Sequence, residues 1–526
     1  MVGWARGHRW FLGILDLGAG RARGRKRFPW DAGLGSGWTR GHRWFLGVFG
    51  LGAVLRVVTM LGYRPALWFP DSYTYVVTAL RPRPDLVRPA GYSMFLRLLE
   101  PFHSFALVAL VQHLLGLLVG VLVYLTARRL RAPGWAAVLA SAPSLLDAYQ
   151  IELEHLLVSD TLFATLVMSA VCLALSRTAG WRTACGIGLL VAAATLTRTV
   201  GLPLVVIFAC WLVYRARGRV LMAGVMLAAA ALPILGYGAW FHATSGRIGI
   251  VGANGVFLYA KTMTFADCAV LRPPADLAVL CDPRPPERRP PAQEYVWSPE
   301  SPLVMLPGIT FSEANDTLAG RFASLAIQRQ PLAYLGSVLS ELARSFPLTR
   351  PVYPDQEVYD YYEFPATPPA TPGRHPATVG AEQAERHYQR GPITTRIVEP
   401  YAGWIRAYQD IVWLPGAAVL VILLVPPVTA LVRRFRPVPA PSAAPVATPV
   451  AAPVAAPVAA PAGRVGPDSM MWVLPWTTAV VLLVMPPAVA EFDYRYVLPA
   501  VPAACLAAAF MVGKPSFRNI PRNVRI

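Results

Sequence analysis

Ten apolar stretches follow one another along the chain, most separated by short polar segments and one pair by a long one. Five of them, residues 104–127, 220–241, 411–432, 470–490 and 496–513, contain no Lys, Arg, Asp or Glu. A run of about 18 or more apolar residues is long enough to cross a bilayer as a helix. A soluble core has no reason to keep so many helices apolar on every face. The other five stretches each carry or adjoin a charge. Residues 44–63 enclose Arg56, residues 135–149 are short and end near Asp147, and residues 156–176 contain Asp160. Only Arg198 separates residues 183–197 from 199–214, which predicts a tight hairpin of two short helices, with one bent re-entrant element as the alternative. The pattern predicts an all-α integral membrane protein, a polytopic bundle of about ten transmembrane helices with one large extracytoplasmic loop.

Composition agrees: 55% of the 526 residues are hydrophobic and 15% are charged, against about 25% charged in soluble domains. A net charge of +19 would ordinarily suggest nucleic acid, but its placement points to topology instead. With the N-terminus inside, the cytoplasmic segments collect Arg21–Arg27, Arg40, Arg43, Arg128, Arg129, Arg131, Arg177, Arg182, Arg215, Arg217, Arg219, Arg433, Arg434, Arg436 and the tail from Lys514. The outside turn at residues 149–155 has no basic residue beyond His155, and carries Glu152 and Glu154. This is the positive-inside bias. It implies a bacterial inner membrane protein with both termini cytoplasmic, its basic face toward anionic lipid and no nucleic-acid partner.

The same pattern divides the chain. Residues 1–43 form a Gly- and Arg-rich extension, in which RGHRWFLG at 6–13 anticipates the copy at 40–47 that leads into the first span. Residues 44–241 make an N-terminal module of about seven helices, and 242–410 the extracytoplasmic loop. The helix at 411–432 precedes an Ala/Pro/Val linker at 433–469, whose APVAAPVAAPVAAP repeat cannot bury a core and predicts a stiff, extended segment. Two helices at 470–513 and a basic tail at 514–526 complete the chain. Within the loop, residues 331–346 place Leu335, Val338, Leu339, Leu342 and Phe346 on one helical face. That stripe suits either a helix lying on the membrane surface or one packed inside a small loop domain. Cys172, Cys185, Cys210 and Cys505 lie in apolar stretches as packing residues. Cys268 and Cys281 share the outside loop, where an even pair favours a disulfide.

Candidate chemistry gathers where ionisable groups meet the outer membrane face: Asp71 in FPDSYTY with Arg88 in RPAGY, then Glu154, His155 and Asp160 in ELEHLLVSD, then Asp493, Arg495 and Tyr496 in EFDYRYVLP. Charges at such depths are costly and mark functional cavities. At these residues, and at HLLVSDTLF, LTRTVGLPL, RFASLAIQRQPLAYLGSVLSELARSF and DYRYVLPAVP, the chain resembles the GT-C superfamily of polyprenyl-phosphate-sugar-dependent glycosyltransferases, which includes protein O-mannosyltransferases and lipid A aminoarabinose transferases. The resemblance covers residues 44–346 and 470–513. Two departures stand out: Ser72 follows Asp71 where many members have a second acid, and Asp160 stands in place of Glu.

The resemblance implies transfer of a sugar from a polyprenyl-phosphate-linked donor to an extracytoplasmic glycan, lipid or protein acceptor. Such a reaction needs a base for the acceptor hydroxyl and cations for the leaving phosphate. Asp71 is the candidate base, with Glu154 beside it as a second catalytic candidate. Arg88, Lys261, Arg198, Arg495 and Tyr496 are candidate phosphate contacts. His155, Asp160 and Asp493 are candidates for positioning the acceptor or holding a divalent ion; Glu154 could join His155 in this, but those two ligands are too few to assign a metal. The rival class is a transporter or lipid flippase. It would show inverted repeats and matching broken helices in two halves, which the sequence lacks.

Overall fold

The computed structural model describes residues 36–176, 180–215, 220–373, 375–435 and 470–512. Residues 1–35 of the expected extension, 436–469 of the expected linker and the 514–526 tail lie outside the described residues, while residues 36–43 and 433–435 belong to the neighbouring helices. The described chain is predominantly helical, with one two-stranded antiparallel pair joining Tyr63 to Ile397 and Arg64 to Arg396. Apolar helices occupy all ten expected places. Five are long and apolar enough to cross a membrane: His42–Gly62, Phe105–Arg129, Val220–Ser245, Gly416–Phe435 and Tyr494–Val512. The others, Gly134–Leu146, Asp160–Ala174, Trp181–Thr197, Thr199–Arg215 and Val473–Val489, are shorter.

Polar residues set where the short helices stop. Asp147 ends the Gly134–Leu146 helix earlier than the apolar run suggested, because its carboxylate caps the next helix by accepting the Gln150 N–H at 3.0 Å. Its other oxygen accepts the Leu414 N–H at 2.7 Å and ties this corner to the chain leaving the loop. The stretch expected from residue 156 becomes helical only at Asp160, because Leu156 first pairs with Leu67 as a short parallel bridge. Arg198 is extended, so the Trp181–Thr197 helix and its successor are two separate helices.

The Val501–Val512 helix is buried along most of its length and packs against Gly134–Leu146, Phe105–Arg129, Gly416–Phe435 and Val473–Val489. Its run of small residues, including Ala503, Ala504 and Ala507, lets neighbouring backbones approach closely. The bundle's outer surface exposes Val54, Val57, Leu114, Leu232, Leu235 and Val421, as a lipid-facing surface does. Beyond one end of the bundle, the Asn254–Thr262 and Glu313–Arg329 helices share a second core around Tyr259, Phe322 and Tyr295. The apolar stripe at 331–346 divides in two. The Pro331–Ala343 helix packs against Val473–Val489; its Val338 is buried, while Leu332, Leu335 and Leu339 remain exposed.

Cys268 and Cys281 form a disulfide with Cα atoms 6.1 Å apart. Maleimide labelling without reductant is expected to reach neither thiol. Replacing both by Ser should lower the stability of this loop by about 3 kcal/mol through the freed chain entropy. Free labelling at both positions would rule out the bridge.

Candidate functional site

Residues from the three expected clusters are brought together by the ends of several helices, with Glu154 and His155 apart from the rest. Pro70 begins the Pro70–Leu80 helix, and the Ser72 hydroxyl accepts the Phe69 N–H at 2.9 Å while donating to the Leu157 carbonyl at 2.8 Å. This fixes Asp71 in the first turn, beside the segment that leads to Asp160. Downstream, the Asp85 carboxylate accepts the N–H groups of Val87 and Arg88, each at 2.9 Å, and so shapes the turn that presents Arg88. Gly91 then meets the end of the Trp181–Thr197 helix. A Cβ at Gly91 would lie 2.4 Å from the Leu196 carbonyl oxygen, so only glycine allows this approach next to Arg198. Asp493 caps the turn of Tyr494–Val497 by accepting the Arg495 N–H at 3.1 Å.

The result is a cluster of three guanidinium groups against three carboxylates. Asp71 is gripped at both oxygens, by Arg88 Nη2 at 2.5 Å and by Arg495 Nη1 at 3.0 Å. Arg495 Nε lies 3.3 Å from Asp493 Oδ2, which also accepts the Tyr362 hydroxyl at 2.8 Å. Arg198 pairs with Asp160 and stands 4.7 Å from the centre of the Tyr496 ring. Arg495 is 4.4 Å from the Phe69 ring centre and 5.2 Å from that of Tyr496. Asp160 Oδ2 and the Thr161 hydroxyl are buried with no hydrogen-bond partner among the described residues. Burial would raise the Asp71 pKa, but the charges of Arg88 and Arg495 outweigh it and hold the carboxyl well below its ordinary range. As it stands, Asp71 is ionised and weakly basic.

Not every expected residue joins this cluster. Glu154 and His155 turn inward. Arg56 uses all five of its N–H donors on Glu154 and on the carbonyls of Gly52, Ser144 and Leu145, at 2.7–3.0 Å. His113 lies 3.0 Å from Glu154 Oε2 and 3.1 Å from His155 Nδ1, while His155 Nε2 contacts the Tyr63 carbonyl at 2.7 Å. Both residues are fully buried. With both ring nitrogens of His155 engaged, none is left for a metal ion. Among the described residues no three His, Cys, Asp or Glu side chains converge as metal ligands.

Lys261 is also elsewhere. It is fully buried and pairs with Glu341 at 2.9 Å, and Glu341 in turn accepts the Phe492 N–H at 2.9 Å. Neighbouring Glu491 accepts the Gln293 N–H at 3.1 Å. Burial, reinforced by Asp493 and Glu341, pushes Glu491 up to about 8. A carboxyl whose pKa is raised on folding holds its proton in the folded state after the unfolded chain has lost it. Its contribution to stability is therefore full below about pH 4 and falls as pH rises toward 8. Melting followed from pH 5 to 9 is expected to show this decline, and Glu491→Gln should flatten it. An unchanged slope in that variant would assign the decline to other groups.

Four residues not expected from the sequence are Phe69, Tyr75 and Tyr362, which wall the cluster, and Arg350. The Arg350 guanidinium lies 3.5 Å from the Tyr149 ring centre and 4.3 Å from that of Tyr494, with Tyr359 and Tyr362 within 5.7 Å. The dense aromatic run VYPDQEVYDYYEF was the legible signal for that cage. Comparison of the chain with protein-family models, with curated proteins and with solved structures finds no match.

Proposed function

We propose that this chain is an integral membrane glycosyltransferase of GT-C type, moving a sugar from a polyprenyl-phosphate carrier to an extracytoplasmic acceptor. The observation that carries this reading is the convergence of Asp71, Arg88, Asp160, Arg198, Asp493, Arg495 and Tyr496, far apart in sequence, into one buried cluster at the ends of apolar helices. In the reaction the bond from the anomeric carbon to the phosphate oxygen breaks, and its electron pair stays on the phosphate. The acceptor hydroxyl oxygen bonds to the anomeric carbon, and its proton passes to Asp71.

The ion pairs give this chemistry an order of events. The donor phosphate competes with Asp71 for Arg88 and Arg495, since guanidinium matches phosphate as well as carboxylate. Once those cations turn toward the phosphate, Asp71 loses the charges that suppress its basicity. The base is thus strengthened by donor binding. Arg198, held by Asp160 and Tyr496, adds a third cation for the leaving group. The prenyl chain lies against the exposed apolar helices.

In this reading all ten apolar helices span a bacterial inner membrane, with both termini cytoplasmic and the cluster outside. Reporter fusions after Arg131, Gly246 and Pro461 are expected to read inside, outside and inside, and an outside signal at Pro461 would overturn the topology. The function is tested in membranes supplied with radiolabelled polyprenyl-phosphate sugars, where label should pass to an acceptor fraction in the wild type alone. No transfer from any such donor would end the proposal.

A further inference from the structure

Beside the charged cluster lies a narrow cleft with no charged side chain in its walls. Trp68 and Tyr73 stack with ring centres 4.9 Å apart on one part of it, and Phe69 meets Tyr361 edge-on at 5.2 Å on another. Thr371 and Thr394 place hydroxyl groups at its rim, and both residues are exposed. The Phe69 ring belongs to both places. It lines the cleft and also carries the Arg495 guanidinium 4.4 Å from its centre, so the cleft is about one ring away from the pair that Arg495 makes with Asp71.

We infer that this cleft is the acceptor subsite and that it takes a neutral saccharide, so that the acceptor is a glycan; the inference rests on the glycosyltransferase reading. A sugar ring offers C–H groups on one face and hydroxyls around its edge. Flat aromatic walls with hydroxyls at the rim match both, as small-molecule sites pair apolar surface with a few placed polar groups. An anionic lipid headgroup or a charged peptide would find no counter-charge in the walls.

The cleft now has about 20 Å³ free, room for roughly one water molecule. Its cover is the strap at residues 365–373, PATPPATPG, which contributes Pro369, Ala370, Thr371 and Pro372 to the lining. Residues 366–371 of the strap face solvent. Its four prolines have no N–H with which to bond to the body. Thr371 fastens the strap to the Tyr73 hydroxyl. A saccharide enters when the strap lifts and replaces that hydroxyl contact with its own.

The test uses the full chain in lipid nanodiscs and saturation-transfer NMR with cellotriose, mannotriose and arabinotriose, without donor. At least one trisaccharide should bind. Tyr361→Ala should weaken it by about tenfold, the scale of one lost aromatic contact, and Tyr361→Phe should retain it. Thr394→Trp, at an exposed position, should block the mouth and abolish binding. Binding by none of the three sugars, or binding indifferent to both Tyr361→Ala and Thr394→Trp, overturns the inference. Sugar transfer to a Ser/Thr-rich peptide with no saccharide binding would overturn it too and leave the transferase reading standing. Saccharide binding lost in both variants, with no transfer from any polyprenyl-phosphate donor, would leave the cleft standing and remove the transferase.

Discussion

Asp71→Asn is expected to cut sugar transfer by about 10²–10⁴-fold, the usual contribution of a general base, while the protein accumulates normally. Asn keeps the shape and one acceptor oxygen but cannot take the proton. Arg495 retains Asp493 and its two aromatic neighbours, and Arg88 retains Asp85 at 4.0 Å, so neither guanidinium is stranded by the change. A companion variant separates the roles. Arg495→Ala should raise the donor KM, because a phosphate contact is lost. The pH profiles should also differ between kcat/KM and kcat. In the free protein the arginines hold Asp71 ionised through the ordinary range, so kcat/KM should show no acid limb from this group above pH 5. With donor bound the arginines are drawn away, and kcat should fall on the acid side at a higher pH. If Asp71 serves only as a partner that holds Arg88 and Arg495 in place, transfer in Asp71→Asn stays near normal. That outcome would move the search to Asp160 and Asp493, the other carboxylates of the cluster.

The second large effect belongs to Arg56 and Glu154. Removing either partner leaves a charge buried among apolar helices, a loss of about 3–5 kcal/mol. Arg56→Ala or Glu154→Ala should therefore abolish accumulation in the membrane or lower melting sharply. Replacing both by Met removes both charges together and should recover much of the lost stability, as apolar replacements of buried pairs do. The double variant is expected to transfer sugar. A double variant that melts normally and is inactive would return Glu154 to the chemistry. Gly116 deepens the argument, because a Cβ there would fall 1.8 Å from Glu154 Oε1. Gly116→Ala should thus reproduce the single-partner defect without touching either charge.

That Glu154 lies apart from Asp71, while Arg88, Arg495 and Asp493 gather around it, is a matter of distance along the chain. Apolar periodicity reports what each residue faces on average, so the ten helices and their approximate ends were legible. Charge next to an apolar run marks a costly position, and Asp71, Asp160, Arg198 and Arg495 were found that way. The same cue cannot say which partner satisfies the charge. Arg56 was visible as an interruption of the first span, yet its pairing spans 98 residues to Glu154, and nothing local encodes it. Lys261 failed likewise: its partner Glu341 sits on the Pro331–Ala343 helix, whose apolar stripe drew attention away from its one buried acid. The aromatic walls were missed because each ring alone reads as ordinary packing, and only folding sets Phe69, Tyr75 and Tyr362 around Asp71 and Asp493.

The central position of the Val501–Val512 helix has a consequence for how the protein is made. Among the helices it packs against, Phe105–Arg129 and Gly134–Leu146 leave the ribosome hundreds of residues earlier, and until it follows they have an unfilled seam. Asp493 and Arg495 arrive on the same late segment, so the charged cluster has no complete form in any shorter nascent chain. Asp71 and Arg88 are both made before it, whereas the second guanidinium reaches Asp71 only once that late segment is present. On the membrane reading, arrival of residues 493–512 therefore fills this seam and brings Arg495 to Asp71 in one event, and a translation product that stops before residue 493 is expected to lack both.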